Sequence, residues 1–396
     1  MSHDEFPSPE PRTEIPSLPE TPFVTPAFQA TPEPPETRLL KSMLFGPNGV
    51  RVGWSAALFI ALTAIILVIL GTATSAFVHK VLHAKTEQFS PLSAIIGELI
   101  STLGILGAAW ICARVERRRI LDYNLSGAKR LRYFLIGIVA GFAALSALVG
   151  ALYEGHWLRF GTISLSGASI LEFGAMWGIA FLLTGFFEEG SFRCYLQYTL
   201  TRGINFWWAF GILAVICASG LIFQKGEGIW GIYIIAALGL VPCLLLHLSK
   251  SPSSGFWQAA WVTSTLFGFI HTGNNGENWI GIFAAAAIGF VFCVSIRLTG
   301  SAWWAIGFHA AWDWAETFFY GTADSGFQPK GHYLTSNPAG AVLWSGGTDG
   351  PEGSLLVIPI ILLTLIALIA VYGRRRAIQD QHPLESPSGA AHPQLS

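Results

Sequence analysis

Charge is scarce in this chain. Asp, Glu, Lys and Arg together make up 12% of its 396 residues, about half the share found in soluble domains. The hydrophobic share is 52% and the mean hydropathy is +0.52, so much of the chain is built to avoid water. The formal net charge is −1, so nothing in the composition suggests nucleic-acid binding. Cysteine is sparse as well. Cys112, Cys194, Cys217, Cys243 and Cys293 all fall in or beside apolar runs without CxxC spacing, so they read as small buried hydrophobes and not as disulfides or zinc ligands. The HExxH signature of zinc proteases and the GxSxG elbow of serine hydrolases are both missing. Alternating segments of about ten residues are missing too, which excludes a membrane β-barrel. No signal peptide is visible, because the first apolar run starts near Trp54.

What is present is a succession of apolar runs of spanning length. About 20 apolar residues cross the hydrocarbon core as a helix. Residues 54–78, 133–153, 206–223, 228–246, 278–296 and 354–373 are such runs, and a shorter one covers 256–270. Residues 89–113 carry one charge, Glu98; residues 168–187 carry only Glu172 and lead into Glu188 and Glu189. A further run, 301–320, contains His309, Asp313 and Glu316. The expected fold is therefore all-α, a polytopic transmembrane bundle of about ten spans (8 to 10).

Three regions follow from this pattern. Residues 1–45 form a tail in which positions 1–37 hold ten of the 21 prolines, too polar to offset the entropy of ordering, and read as disordered. Residues 46–373 form the membrane domain, with its chemistry concentrated in 168–320, and 374–396 form a second polar tail. Orientation follows from loop lysines and arginines. The loop 114–132 holds Arg114, Arg117, Arg118, Arg119, Lys129, Arg130 and Arg132 and is expected on the cytoplasmic side. Alternation places Arg202, Lys250, Arg297 and Arg374–Arg376 on that side as well. Both termini are then cytoplasmic, in a multi-pass protein of the cell (inner) membrane.

A charge at the centre of a spanning helix costs roughly 2.5–3.5 kcal/mol on insertion scales, so such residues need partners or a polar cavity. Three places stand out. In Glu188-Glu189-Gly190-Ser191-Phe192-Arg193, Glu189 and Arg193 are four apart and can pair on a helix, while Glu188 points about 100° away and is left to act as a base. In Phe267-Gly268-Phe269-Ile270-His271, a histidine ends a short apolar run. In His309-Ala310-Ala311-Trp312-Asp313, the spacing puts an imidazole and a carboxylate on one face. Each has a structural reading as well: a salt-bridged helix end, an interfacial histidine and a polar seam between helices. Together, a glutamate near a histidine can activate water and a second histidine can stabilise an oxyanion, which suffices for amide hydrolysis.

These three elements, in this order, resemble the CPBP family of intramembrane proteases, which includes CAAX prenyl-protein endopeptidases and the bacterial Abi proteins. The family pattern is EExxxR, then FxxxH, then HxxxN or HxxxD, matched by Glu188-Glu189-xxx-Arg193, Phe267-xxx-His271 and His309-xxx-Asp313. Gly350-Pro351-Glu352-Gly353-Ser354 also resembles bacterial members. The resemblance implies that Glu188 with His271 activates the attacking water, that Glu189 and Arg193 support the site, and that His309 and Asp313 form the oxyanion pocket. It also implies a protein or peptide substrate within the lipid bilayer. The family has been described both as metalloproteases and as glutamate-dependent proteases; a divalent metal such as zinc would take Glu188, His271 and His309 as ligands. Two other readings stay open: a non-catalytic immunity or scaffold protein of the same fold, and a proton-coupled transporter.

One expectation concerns depth. Glu188 is expected near the cytoplasmic end of its helix, and His271 about 15 residues, or roughly 22 Å, along a helix starting from the same side. Tilt or a broken helix must then bring them together, and 206–246 reads as an inserted helix pair.

Overall fold

The computed structural model describes residues 41–46, 49–77, 90–223, 229–274 and 276–381. The N-terminal tail up to residue 40 and residues 382–396 lie outside the described residues, as does Asn275.

Every apolar run read from the sequence lies on a helix. In chain order these are α1 (Val52–Phe77), α2 (Pro91–Val115), α3 (Arg130–Glu154), α4 (Ala168–Thr201), α5 (Phe206–Phe223) and α6 (Ile229–Ser249). There follow α7 (Ser254–His271), α8 (Trp279–Thr299), α9 (Trp303–Trp314, prolonged by a π turn over Ala315–Tyr320) and α10 (Val357–Gln381). The fold is all-α, a polytopic helical bundle. Among the described residues six helices are long and apolar enough to cross a membrane by length and composition: α1, α2, α3, α4, α6 and α8. Phe206–Gly220 and Val357–Gly373 are shorter apolar helices.

The ends follow local chemistry. Ser90 and Ser93 close a reciprocal capping box ahead of α2. Asn278 caps α8 by accepting from the amides of Ile280 and Gly281. Helix α8 stops at Gly300 and α9 at Gly321, both in the left-handed conformation that glycine adopts at low cost.

The helices that face out differ from those that carry the polar motifs. On α1 only Ser55 and Phe59 are buried, while Ile60, Ile65, Val68 and Ile69 are exposed, as suits a face turned to lipid. On α7 and α9 most side chains are buried, including Gln258, Thr263, Ser264, Thr265 and Asp313. Helix α9 is the axis of the bundle and packs against α3 and α4; α7 packs against α8, and α8 against α10. Helices α5 and α6 pack on each other and against α7.

The α3–α9 crossing is held by missing side chains. A Cβ at Gly137 would overlap the Trp304 carbonyl, one at Gly141 the Phe308 carbonyl, and one at Gly307 the Phe134 carbonyl. Gly137 and Gly141 form a GxxxG pair, which lets helix backbones touch where the hydrophobic effect supplies no drive. That contact fixes α9 and the imidazole it carries.

The two ends of the bundle are distinct. At one end the basic loop after α2 is tied to the end of α4: Arg118 donates to Tyr198, Arg202 pairs with Glu116 at 2.9 Å, and Asn124 donates to the Arg193 carbonyl. The start of α9 joins it through the Trp303 indole, which donates to the Leu125 carbonyl. At the other end, Leu158–Ile163 pairs antiparallel with Leu334–Pro338, and the Asn278 amides bind Asp349 and Gly353. These contacts build a cap from the segments after α3, α7 and α9.

Candidate active site

Helix α4 differs from the sequence expectation, and the difference removes the depth conflict. The acids do not end the helix. The backbone widens into a π turn over Gly190–Leu196 and continues through Gln197–Thr201, giving 34 residues in all. Glu188 therefore lies 13 residues before the helix end at the basic loop, about 20 Å at 1.5 Å per residue, and His271 about 25 Å along α7. Two helices starting from the same side thus bring both residues to similar depth without a break. The second π turn, on α9, begins two residues after Asp313. Such turns recur at functional sites because the extra residue re-aims side chains.

Glu189 and Arg193 form the base of the site. Arg193 Nε lies 3.2 Å from Glu189 Oε2, and neither side chain has any exposed surface. The guanidinium sits over the Phe267 ring at 4.2 Å, with Phe192 and Phe292 at 5.7 and 5.6 Å. A Cβ at Gly289 would overlap its Nη2, so glycine on α8 makes room for the cation. A buried ion pair offsets its desolvation only with good geometry and further hydrogen bonds. Here the second Glu189 oxygen supplies one: His309 Nδ1 lies 2.9 Å from Oε1. An ionised carboxylate only accepts, so this contact places the proton on Nδ1.

The far side of the His309 ring faces the other acids. Its Nε2 is 3.6 Å from Glu188 Oε2 and 3.5 Å from Asp313 Oδ2. Among the described residues Glu188 Oε2 has no hydrogen-bond partner, whereas Glu189 is held by Arg193 and His309. His271 is oriented separately: its Nδ1 lies 2.7 Å from the Phe267 carbonyl and donates to it, which leaves Nε2 as an acceptor. Among the described residues Glu188 and His271 share no direct hydrogen bond. Both line one cavity of about 860 Å³, with His309 and Asp313. Among the described residues, Glu189 and Arg193 lie outside its lining, and none of α5 or α6 reaches it. The inserted helix pair is thus set apart from the site.

Sequence reasoning assigned no role to three further acids that line the cavity: Glu98 on α2, and Asp324 and Glu352 in the cap. Glu98 was visible as the one charge in its run, and Glu352 as part of the Gly350–Ser354 resemblance; Asp324 carried no signal, because acids are ordinary in loops. Burial pushes Asp324 up to about 7, with the nearby Glu352 charge adding to the effect and the Thr317 hydroxyl opposing it. Asp349 is pushed up to about 8 by burial, against the Asn278 amide. Glu277 is pushed up to about 10, first by burial and then by Asp349 and Glu352.

A metal bound by Glu188, His271 and His309 would take the Nε2 atoms of the two histidines, since both Nδ1 atoms are held by protein acceptors, as is usual in metal-ligating histidines. Without an ion these three residues do not gather their donor atoms within 4.8 Å of one another. Among the described residues only Glu316, Asp324 and Glu352 do so.

Residues 170–253 and 243–315 match the family model described as Rce1-like, type II CAAX prenyl endopeptidase Rce1-like. The two matched segments together run from residue 170 to residue 315, less than half of the chain. The resemblance to the CPBP family read from the three motifs is borne out, and the match lies within the 168–320 segment that holds them. No curated protein and no solved structure matches the chain. The Rce1-like match points to a CAAX-type intramembrane peptidase, and the apolar helices make the chain a multi-pass membrane protein.

Proposed function

We propose that this protein is an intramembrane endopeptidase that hydrolyses a peptide bond with a water activated by Glu188 and His271. The observation that carries the proposal is the shared cavity: Glu188, His271, His309 and Asp313 reach it from three helices. In this reading the unpaired Glu188 carboxylate takes a proton from a water that His271 Nε2 helps to orient. The resulting hydroxide attacks the scissile carbonyl carbon. The oxyanion so formed is stabilised by the His309 imidazolium, whose Nε2 carries a second proton in this reading because the Glu188, Glu189 and Asp313 carboxylates surround the ring. Glu188 then returns its proton to the amine as the C–N bond breaks, giving a carboxylic acid and an amine. Glu189 and Arg193 are positioning residues: Glu189 holds His309 through Nδ1, and Arg193 holds Glu189.

The substrate class is a peptide that enters from the bilayer or its interface. Cap residues Asp324, Gly326 and Phe327 line the cavity, so it is reached from the end opposite the basic loop. With that loop cytoplasmic, the protein lies in the cell (inner) membrane with both termini inside and the cavity facing out.

The test uses the full chain purified into proteoliposomes, with prenylated CAAX peptides and unmodified apolar peptides as substrates and mass spectrometry as the readout. Glu188→Gln and His271→Ala should each lower cleavage by about 10²–10⁴ while elution and melting stay native. Undiminished cleavage in either variant removes the mechanism. No cleavage of any peptide by the wild type would favour the immunity or scaffold reading.

A further inference from the structure

The acids of the cap end raise a separate question. Glu316, on the π turn of α9, has no exposed surface, and among the described residues neither of its carboxylate oxygens has a hydrogen-bond partner. A buried, unpartnered carboxylate is costly to keep. Its backbone carbonyl is satisfied by the amide and hydroxyl of Thr322, so the deficit belongs to the side chain alone. Each of Glu316, Asp324 and Glu352 offers one carboxylate oxygen, and these oxygens lie within 4.8 Å of one another. Among the described residues none of the three pairs with a lysine or arginine. Two of them are held ready: Thr317 donates to Asp324 at 2.8 Å, while Trp312 and Ser325 donate to Glu352 at 2.8 and 2.9 Å. A Cβ at Gly350 would stand 3.3 Å from Glu316 Oε1, so the cap backbone closes over this oxygen where glycine allows it.

We infer that Glu316, Asp324 and Glu352 bind a hard divalent cation, calcium before magnesium, which fastens the cap to helix α9. Three oxygen donors and no nitrogen or sulfur select against zinc and copper. The three oxygens lie within 4.8 Å of one another, so one ion can reach them all, and with Glu316 fully buried that ion must shed much of its water, which magnesium does more reluctantly than calcium. The ion replaces the missing partners of Glu316 and joins three places in the chain: the π turn, the loop after it and the segment before α10. None of the three residues has a role in the proposed hydrolysis, so this site stands or falls independently of it.

The experiment uses the full chain in detergent micelles or nanodiscs, stripped with a chelator and then titrated with calcium, magnesium or zinc chloride. Wild type should take up about one calcium per chain by equilibrium dialysis, with an apparent Kd in the range of about 10⁻⁵–10⁻³ M. Its melting temperature should rise with calcium concentration, as a ligand specific for the folded state demands. Glu316→Gln and Asp324→Asn should each lose most of that rise, and without ion each should melt at or above the stripped wild type, because a like charge has been removed. If Glu316→Gln does not fold, Asp324→Asn carries the same comparison. The inference is overturned if stripped wild type takes up no calcium at millimolar concentration. It is equally overturned if both variants keep the full calcium-dependent rise, or if zinc displaces calcium at equal concentration.

Discussion

His309 Nδ1 lies 2.9 Å from Glu189 Oε1, and this contact joins the reacting face of the site to the ion pair beneath it. The same carboxylate that neutralises Arg193 fixes the imidazole, so charge compensation and orientation share one side chain.

Removing Arg193 should therefore unfold more than it inactivates. Arg193→Leu leaves Glu189 buried without its cation, a loss of about 3 kcal/mol or more, seen as a lower melting temperature in detergent. The pair variant Glu189→Gln with Arg193→Met should regain most of that stability without regaining cleavage. If both variants melt like wild type, the pair does not support the fold.

Glu189→Gln alone separates holding from catalysis. The amide keeps the shape but can offer an N–H where Nδ1 needs an acceptor, so turnover should fall by about 10². Peptide affinity should stay near its wild-type value. A matching loss of affinity would show that Glu189 shapes the binding surface instead.

The helix crossing predicts an effect at a distance. Gly137→Ala pushes a methyl into the Trp304 carbonyl and should cost about 1–3 kcal/mol. It should also lower cleavage by shifting α9. Gly150→Ala on the same helix meets no atom within 4 Å and is the control; equal effects from the two would discount the crossing.

Glu277 supplies a pH signature. Its folded value of about 10 stands above the ordinary 4.5, so the folded state holds the proton more tightly than the unfolded one. The associated stability is complete below pH 4.5 and is lost as pH rises towards 10. Wild type should lose melting temperature across that window, and Glu277→Gln should lose less, with the gap widest at the alkaline end. Parallel curves for the two proteins would contradict the assignment.

Orientation is open to labelling. Arg119→Cys in the basic loop should react with a membrane-impermeant maleimide only after the cells are opened, and Thr348→Cys in the cap should react from outside. The reverse pattern would invert the proposed topology.

The helices and the pairing of Glu189 with Arg193 could be read directly from the chain, because hydrocarbon imposes length and an i, i+4 step imposes neighbourhood. His309 and Asp313 were legible on the same ground. Other features were not. The apolar pattern stops at Glu188, so the run could not show that α4 continues to Thr201; a π turn has no periodicity of its own. His271 could be named, but not the Phe267 carbonyl that orients it. Glu352 and Asp324 belong to a loop over 30 residues long, whose path depends on contacts such as those of Asn278 with Asp349 and Gly353, which no local rule encodes.

Arg193, caged by three aromatic rings with Glu189 above it, also closes a door. Neither residue borders the cavity, and below them the side chains Cys194, Tyr195 and Leu196 are buried. Among the described residues, no side chain of α4 beyond Glu188 borders the cavity. Under the proposed hydrolysis, a site that admits water this deeply must not become a proton wire, and the buried pair would let solvent reach the scissile bond from one side while the bilayer keeps its electrical seal.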